Sequence, residues 1–334
     1  MEVTVQDIIK RYESGELGLL DMCRELSGGG ADPMENVRAA MESGTLGTLF
    51  DSQAATAVHE AFSASSAPLD KLCASMEAPS FGAFYDLAIN AGGMEYLPSG
   101  GRCNESIVTA TGEPMKVARF AGSLVVDEIH IINGGVEAML TIPTRQLARQ
   151  ANSVLLNQLA FALLANPTMS DGTAMFDSSR GNDANATLDE SGLAAARAYF
   201  KTLKDANGNC LDLDAAVLVC SAALDSTARE LLSKTQNFGA AAGNLELVTS
   251  GRLDAGVKDP ISGTEATPSA TFWAVLPNPA QYPAFNLLYR KGTNKGLLSR
   301  VSKLGPGRRG YSVDVTLDSA IVPANAAAIY RGHA

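Results

Sequence analysis

Residues Ile142 to Asp177 run Ile142-Pro-Thr-Arg-Gln-Leu-Ala-Arg-Gln-Ala-Asn-Ser-Val-Leu-Leu-Asn-Gln-Leu-Ala-Phe-Ala-Leu-Leu-Ala165, followed by Asn166-Pro-Thr-Met-Ser-Asp-Gly-Thr-Ala-Met-Phe-Asp177. Leu147, Ala151, Val154, Leu155, Leu159, Ala162 and Leu163 recur at helical spacing and mark one apolar face. Pro143 fits the first turn, where its missing N–H costs nothing, and Asn166-Pro167 stops the pattern. The expected helix, Ile142 to Ala165, has about 24 residues and spans roughly 36 Å at 1.5 Å per residue, enough to act as the spine of a domain. It carries Arg145, Gln146, Arg149, Gln150, Asn152, Asn157 and Gln158. It is therefore not a membrane segment, which needs roughly 18 or more uncharged apolar residues in a row.

Upstream, the chain reads as extended from Phe84 to Ile89, then as a Gly- and Pro-rich loop over Ala91 to Gly101, then as strands over Ser106 to Thr111 and Met115 to Ile132. Two strand arms around a long glycine-punctuated excursion make a hairpin of a length that compact domains keep for function. Before it, three short helical patterns, Val5 to Tyr12, Gly18 to Leu26 and Pro33 to Glu42, are separated by Gly-rich punctuation. This leader reads either as an arm or as a helical cap on the main domain.

Downstream of the spine, Thr187-Leu-Asp-Glu190 has capping-box spacing ahead of an apolar stripe at Leu193, Ala196, Phe200 and Leu203. A strand at Ala215 to Cys220 leads to a helix from Leu224 to Lys234, and strands follow at Leu245 to Val248 and Thr271 to Leu276. The tail reads as strands at Asn286 to Tyr289, Tyr311 to Leu317 and Ala326 to Tyr330. The pattern is a mixed arrangement of helices and sheets.

The chain has 334 residues and a formal net charge of -10, which argues against a basic nucleic-acid binder of the ordinary kind. Only 19% of residues are charged, beside 51 Ala and 31 Gly, so much of the outer surface is a candidate for burial against further copies of the chain. Charge is also segregated: residues 1–60 hold 11 acidic and 4 basic residues, whereas 286–334 hold eight Lys or Arg against two Asp. The polar, acidic N-terminus, Met-Glu-Val-Thr-Val-Gln-Asp, is unlike a signal peptide and leads to an expected cytoplasmic location. Five scattered cysteines (Cys23, Cys73, Cys103, Cys210 and Cys220) without a CxxC read as free thiols.

Enzymatic chemistry finds no foothold in these residues. The three histidines, His59 on a helical pattern, His130 in an apolar strand and His333 near the end, sit with no Gly-x-Ser-x-Gly turn. Leu26-Ser-Gly-Gly-Gly30 and Gly292-Thr-Asn-Lys295 lack the rest of a phosphate-binding loop. The acidic groups at Asp183, Asp189 and Glu190, and at Asp212 and Asp214, read as caps and solvated carboxylates, because the twelve-residue calcium pattern is absent. No catalytic, cofactor-binding or metal-ligating set is assigned, and no cofactor is expected.

The run Ala165-Asn-Pro-Thr-Met-Ser-Asp-Gly-Thr-Ala-Met-Phe-Asp177, directly after the spine, resembles the major capsid proteins of tailed phages, in particular the prohead protease/major capsid fusion family and the Mu-like major head subunit. The resemblance continues in order. Phe81 to Gly101, with Glu95-Tyr-Leu-Pro98-Ser-Gly100-Gly101, is similar to the family's extended loop, and Lys116 to Asn133 to its return strand. Leu188 to Asp205 and Lys201 to Gly208 resemble a helix and turn of the axial domain, and Gly310 to Tyr330 the closing strands. Departures are Asp177-Ser-Ser-Arg-Gly181-Asn182, where family members often carry a histidine, and residues 1–60, which have no counterpart.

The resemblance implies an α+β Hong Kong 97-type capsid fold with an N-terminal arm at 1–80, an extended loop at 84–126, a peripheral domain at 127–166 and 286–334, and an axial domain at 167–285. It implies a major capsid protein that self-assembles into hexamers and pentamers around packaged double-stranded DNA, with scaffold, prohead protease, portal and decoration proteins as partners. The expected location is then the virion, with assembly in the host cytoplasm. The implied assembly residues are those of the extended loop, Phe84, Leu87, Glu95, Tyr96, Pro98, Gly100, Gly101 and Lys116; Leu147, Ala151, Leu155 and Leu159 mark the spine helix, and Asn166, Pro167, Asp171 and Gly172 the entry to the axial domain. Lys116 is the only lysine in the loop and so the candidate for the covalent cross-link that some members make. An encapsulin-like compartment of the same fold and a soluble α/β enzyme remain as alternatives.

Overall fold

The structure, a computed structural model, describes residues 5–14, 16–28, 33–85, 88–90, 96, 109–127, 129, 136–205, 208–237, 245–305 and 308–333. In chain order the helices are α1 (Val5–Glu13), α2 (Leu19–Leu26), α3 (Pro33–Glu42), α4 (Thr45–Ser65), α5 (Ala67–Leu72), α6 (Val136–Ala165), α7 (Glu190–Thr202), α8 (Asp225–Asn237) and α9 (Gly251–Ala255). The strands are β1 (Cys73–Ala78), β2 (Phe84–Tyr85), β3 (Ala88–Asn90), β4 (Thr109–Thr111), β5 (Pro114–Met115), β6 (Ala118–Asp127), β7 (Asp183–Asn185), β8 (Ala215–Ser221), β9 (Glu246–Ser250), β10 (Val257–Lys258), β11 (Glu265–Ala266), β12 (Trp273–Pro277), β13 (Phe285–Arg290), β14 (Leu297–Lys303), β15 (Gly310–Pro323) and β16 (Tyr330–His333).

The chain divides into two compact units. The first comprises Met1–Ser66, Arg119–Ser153 and Gly292–Asp318. Its strand β14 pairs antiparallel with the first half of β15, from Leu297 opposite Leu317 to Lys303 opposite Tyr311, and β6 pairs with β15. Helices α1 to α4 share one apolar cluster with these strands, in which Met22, Cys23, Val37, Phe50, Val126, Tyr311 and Val313 are buried. Phe50 meets the Tyr311 ring edge-on at 5.3 Å. The leader helices thus share a core with these strands. Of the 21-residue helix α4 the sequence pattern showed only the stretch around His59: its Ala, Ser and Thr spacing carries little amphipathic signal, and burial of Leu49, Phe50, Ala54 and Val58 holds it in place.

The second unit comprises Ala67–Ala118, Val154–Lys291 and Ser319–Ala334. Within it β13 pairs parallel with β1 and antiparallel with the last residues of β15, Ser319 to Pro323. A second sheet has the order β7-β16-β12-β8-β9. Its central strand, Trp273-Ala-Val-Leu-Pro277, is buried throughout, as expected of a continuous apolar run with neighbours on both edges. Trp273 lies in the core with Phe200, Leu218, Val275 and Tyr330, and its indole N–H donates to Ala186 O at 2.9 Å.

The spine helix is longer than its apolar pattern. It begins at Val136 and contains Pro143, which therefore does not mark the first turn. The helix formers Glu137, Ala138, Met139 and Leu140 continue the helix upstream, and the proline removes only one backbone bond. The unit boundary falls within this helix, between Ser153 and Val154, and not at its end.

Two further expectations are corrected. Thr187 and Glu190 do not form a capping box: Asp189 is the N-cap, and its carboxylate accepts from Gly192 N–H at 2.7 Å. Gly192 is needed there, because a side-chain carbon would crowd Thr187 O and the Trp273 ring. Ala326–Ala328 form a 3-10 turn capped by Asn325, not a strand, and the strand starts only at Tyr330. The asparagine side chain takes Ala327 N–H at 3.0 Å and diverts the backbone from extension.

Candidate assembly surfaces

The segment that follows the spine folds into a tight hairpin in the second unit. Asn166 adopts a left-handed conformation (φ 50°), which ends α6. Its amide then holds the hairpin closed: Phe176 N–H donates to Oδ1 at 2.7 Å, and Nδ2 donates to Phe176 O at 2.9 Å. Pro167 O accepts from Met175 N–H at 2.9 Å, and Met169 N–H donates to Thr173 O at 2.9 Å. Gly172 (φ 81°) forms the tip, where a side chain would be strained.

Asp171 serves this turn twice. Oδ1 accepts from Thr173 N–H at 2.9 Å, and Oδ2 accepts from the Arg180 guanidinium. The Thr173 N–H, with Arg180 as a further contributor, holds the Asp171 carboxyl below the usual aspartate range. Arg180 Nε also donates to Ala174 O at 3.1 Å. Asn182 is fully buried beneath the hairpin: Nδ2 donates to Met175 O and Ala326 O, each at 2.8 Å, and Oδ1 accepts from Asp177 N–H at 3.0 Å.

The base of the long hairpin lies in the same unit. Phe84 faces Met115 and Tyr85 faces Pro114 across β2 and β5, and Ala88 to Asn90 pair with Thr109 to Thr111. Phe84 packs on a small cluster of Ala78, Met115, Val117 and Leu288, which anchors this base. Glu113 joins the two surfaces: its carboxylate accepts from Ser170 N–H and from the Ser170 hydroxyl. An open cleft of about 580 Å³ runs beside this contact, lined by Met115, Met169, Asp171, Arg180, Tyr282 and Asn325 among others.

Of the anticipated loop residues, Phe84 is half-buried, Lys116 is exposed and Tyr96 is 91% exposed, while Leu87, Glu95, Pro98, Gly100 and Gly101 lie outside the described residues. Tyr85 is also 62% exposed. On the spine, Ala151, Leu155 and Leu159 are buried and Leu147 is half-buried, so these four serve packing within the subunit. Asn166, Pro167, Asp171 and Gly172 are brought together in the hairpin. Sequence reading missed Glu113, Arg180 and Asn182, whose partners are distant or are backbone groups of other turns. His130 and Cys103 lie outside the described residues.

The sequence matches the phage capsid protein family over residues 112–332. Among solved structures, a phage-related protein from Bordetella bronchiseptica RB50 aligns with a TM-score of 0.50 at 11% identity, covering 78% of this chain and 89% of that one. The capsid of cyanophage P-SCSP1u gives 0.49 at 12% identity over 79% and 87%, and the SrpI encapsulin of Synechococcus elongatus PCC 7942 gives 0.47 at 10% over 78% and 85%. No curated protein matches the sequence. The fold, with its long spine helix and two-stranded hairpin, is that of the Hong Kong 97-type shell proteins. The chain belongs to the phage capsid protein family, and it is a major capsid protein, a structural component of the virion that assembles into a multi-subunit shell.

Proposed function

We propose that copies of this chain close into hexamers and pentamers and form the icosahedral head of a tailed phage around double-stranded DNA. The observation that carries the proposal is the paired hairpin base, β2 with β5 and β3 with β4, on a chain of this family. It supports an extended loop that leaves Tyr85 and Tyr96 exposed, large apolar surface for a neighbouring copy to cover. Heterologous contacts of this kind close into rings when their rotation permits. Each contact adds to several others on the same subunit, so the shell gains from multivalency.

In this reading residues 84–126 are the extended loop and 167–285 the axial domain, with scaffold, prohead protease and portal acting during assembly in the host cytoplasm. The protein has no catalytic role. Electron microscopy of the expressed chain, alone and with scaffold, is expected to show closed shells with fivefold and sixfold capsomers. A chain that stays monomeric under crowding and scaffold co-expression overturns the proposal. Nuclease-protected DNA in particles from infected cells supports a phage head, whereas an enzyme cargo in its place points to a compartment.

A further inference from the structure

Strand β15 is the middle of a three-stranded sheet in the first unit. β14 pairs with Tyr311 to Leu317 on one side. On the other, β6 follows the same stretch in the opposite direction: Gly310 lies against Val126 and Asp127, the Ser123 and Ser312 hydroxyls are 3.0 Å apart, and Arg119 Nε donates to Asp318 Oδ1 at 2.6 Å. β6 and β14 are therefore the two edges, and they are finished differently. Helix α4 packs along β14, and its Asp51 Oδ1 accepts from Val301 N–H at 2.8 Å. Along β6, from Phe120 to Val126, no strand partner other than β15 and no backbone hydrogen bond outside that pairing is present among the described residues.

An open edge is a template for a further strand, and soluble proteins blunt it with a charge, a proline, a bulge or a short length. β6 is 10 residues long, and its stretch Phe120-Ala-Gly-Ser-Leu-Val-Val126 holds no charge and no proline. Leu124 and Val126 face the helical cluster, whereas Ala121, Ser123 and Val125 are exposed, Val125 by 47%. The two charges of the strand stand at Arg119 and Asp127, each four residues from Ser123. When two copies of β6 run antiparallel about Ser123, Arg119 of one copy faces Asp127 of the other, Ala121 faces Val125, and Ser123 faces Ser123. These are opposed pairs of the kind that stabilise a sheet. A parallel pairing in register sets Arg119 against Arg119 instead.

We infer that β6 is a self-pairing edge: a second copy of this chain adds its own β6 antiparallel about Ser123, across a twofold axis, and the two sheets become one. Such a contact is isologous, with the same patch used on both subunits. It satisfies the outward backbone groups of both strands and covers Val125. The pairing rests on the assembly of the chain with its own copies, which its family establishes, and gives that assembly a contact on a particular strand.

Ser123→Cys and Ala121→Cys are compared as whole chains, assembled and then mildly oxidised, with the native chain as background for its own five cysteines. Opposed residues of an antiparallel pair have Cα atoms about 4.5–5.5 Å apart, within disulfide reach, whereas the two Ala121 positions lie roughly 13 Å apart. Ser123→Cys is expected to run as a linked dimer on non-reducing gels and Ala121→Cys as a monomer. A second comparison uses charge. Ala121→Glu/Val125→Glu sets like charges opposite each other twice and is expected to weaken association about tenfold, while Ala121→Glu/Val125→Lys sets unlike charges and restores it. Near-UV circular dichroism verifies that each variant is folded. Equal linking of the two cysteine variants, or an equal loss in both charge variants, overturns the inference. If shells form without the Ser123→Cys link, the self-pairing edge falls and the capsid reading stands. If linked dimers form and shells do not, the edge stands and the hexamer and pentamer reading falls. A native chain that stays monomeric overturns both.

Discussion

Glu113, at the base of the long hairpin, accepts two kinds of hydrogen bond from Ser170, in the turn after the spine helix: the backbone N–H lies 2.9 Å from each carboxylate oxygen, and the hydroxyl lies 2.7 Å from Oε1. These residues are 57 positions apart, and the contact ties the loop proposed to cover a neighbour to the turn that starts the proposed axial domain. A carboxylate suits this task, because charge-assisted bonds to an amide and a hydroxyl are stronger than neutral ones.

Replacing Glu113 by Ala removes both acceptors while leaving the Phe84 cluster intact. Urea unfolding is expected to show a loss of about 1 kcal/mol, the net value of a partly solvated hydrogen-bond set. Hydrogen exchange should quicken at the Ser170 and Met115 amides before any global change. An unaltered Ser170 exchange rate would mean that the contact bears no load.

Trp273, the single tryptophan, is fully buried and is in contact distance of Gly332 on the neighbouring strand β16. A side-chain carbon at Gly332 would overlap the indole ring. Gly332→Ala is therefore expected to cost about 3 kcal/mol, the upper range for overpacking a filled core. The native chain should show blue-shifted tryptophan emission that moves to the red on unfolding. In the variant that transition should come at lower urea concentration; a native-like midpoint would show that β16 shifts without penalty.

Asp171 and Asp189 are both held below the usual aspartate range, Asp171 chiefly by Thr173 N–H and Asp189 chiefly by Gly192 N–H. A depressed folded value means that the unfolded chain takes up protons first as pH falls. Their contribution to stability is thus complete above the unfolded aspartate value of about 3.9 and is lost as pH drops through the lower folded values. Thermal melts should be flat near neutrality and fall in that acid window. The variant Asp171→Asn/Asp189→Asn should melt lower at neutral pH and lose less on acidification. An equal acid loss in both proteins would place the sensitivity in other groups.

Local chemistry made the spine helix legible: apolar residues at 147, 151, 155 and 159 and a stop at Asn166-Pro167 need no tertiary information. The first three leader helices and the strands at 215–221 and 273–277 were legible for the same reason, and their observed bounds lie close to those read from the pattern. The run Ala165 to Asp177 also carried the most specific part of the family resemblance. Its turn geometry is encoded in neighbours that bond one another, as Asn166 with Phe176 and Asp171 with Thr173.

What no pattern could supply were partners brought together across long stretches of chain. Glu113 meets Ser170, Asn182 meets Ala326 O, and Asp183 meets Arg331 at 2.7 Å only because separate segments share a unit. Helix α4 belongs with these: its weak periodicity says little, and burial against a cluster that includes Tyr311 decides it. Asp189 caps α7 by taking Gly192 N–H, and packing around Trp273 leaves room only for a glycine at that third helical position. Sequence alone thus determined the elements whose signals are periodic or contiguous. Tertiary structure decided the caps, clamps and close approaches, because their free energy depends on distances between segments that the linear order leaves open.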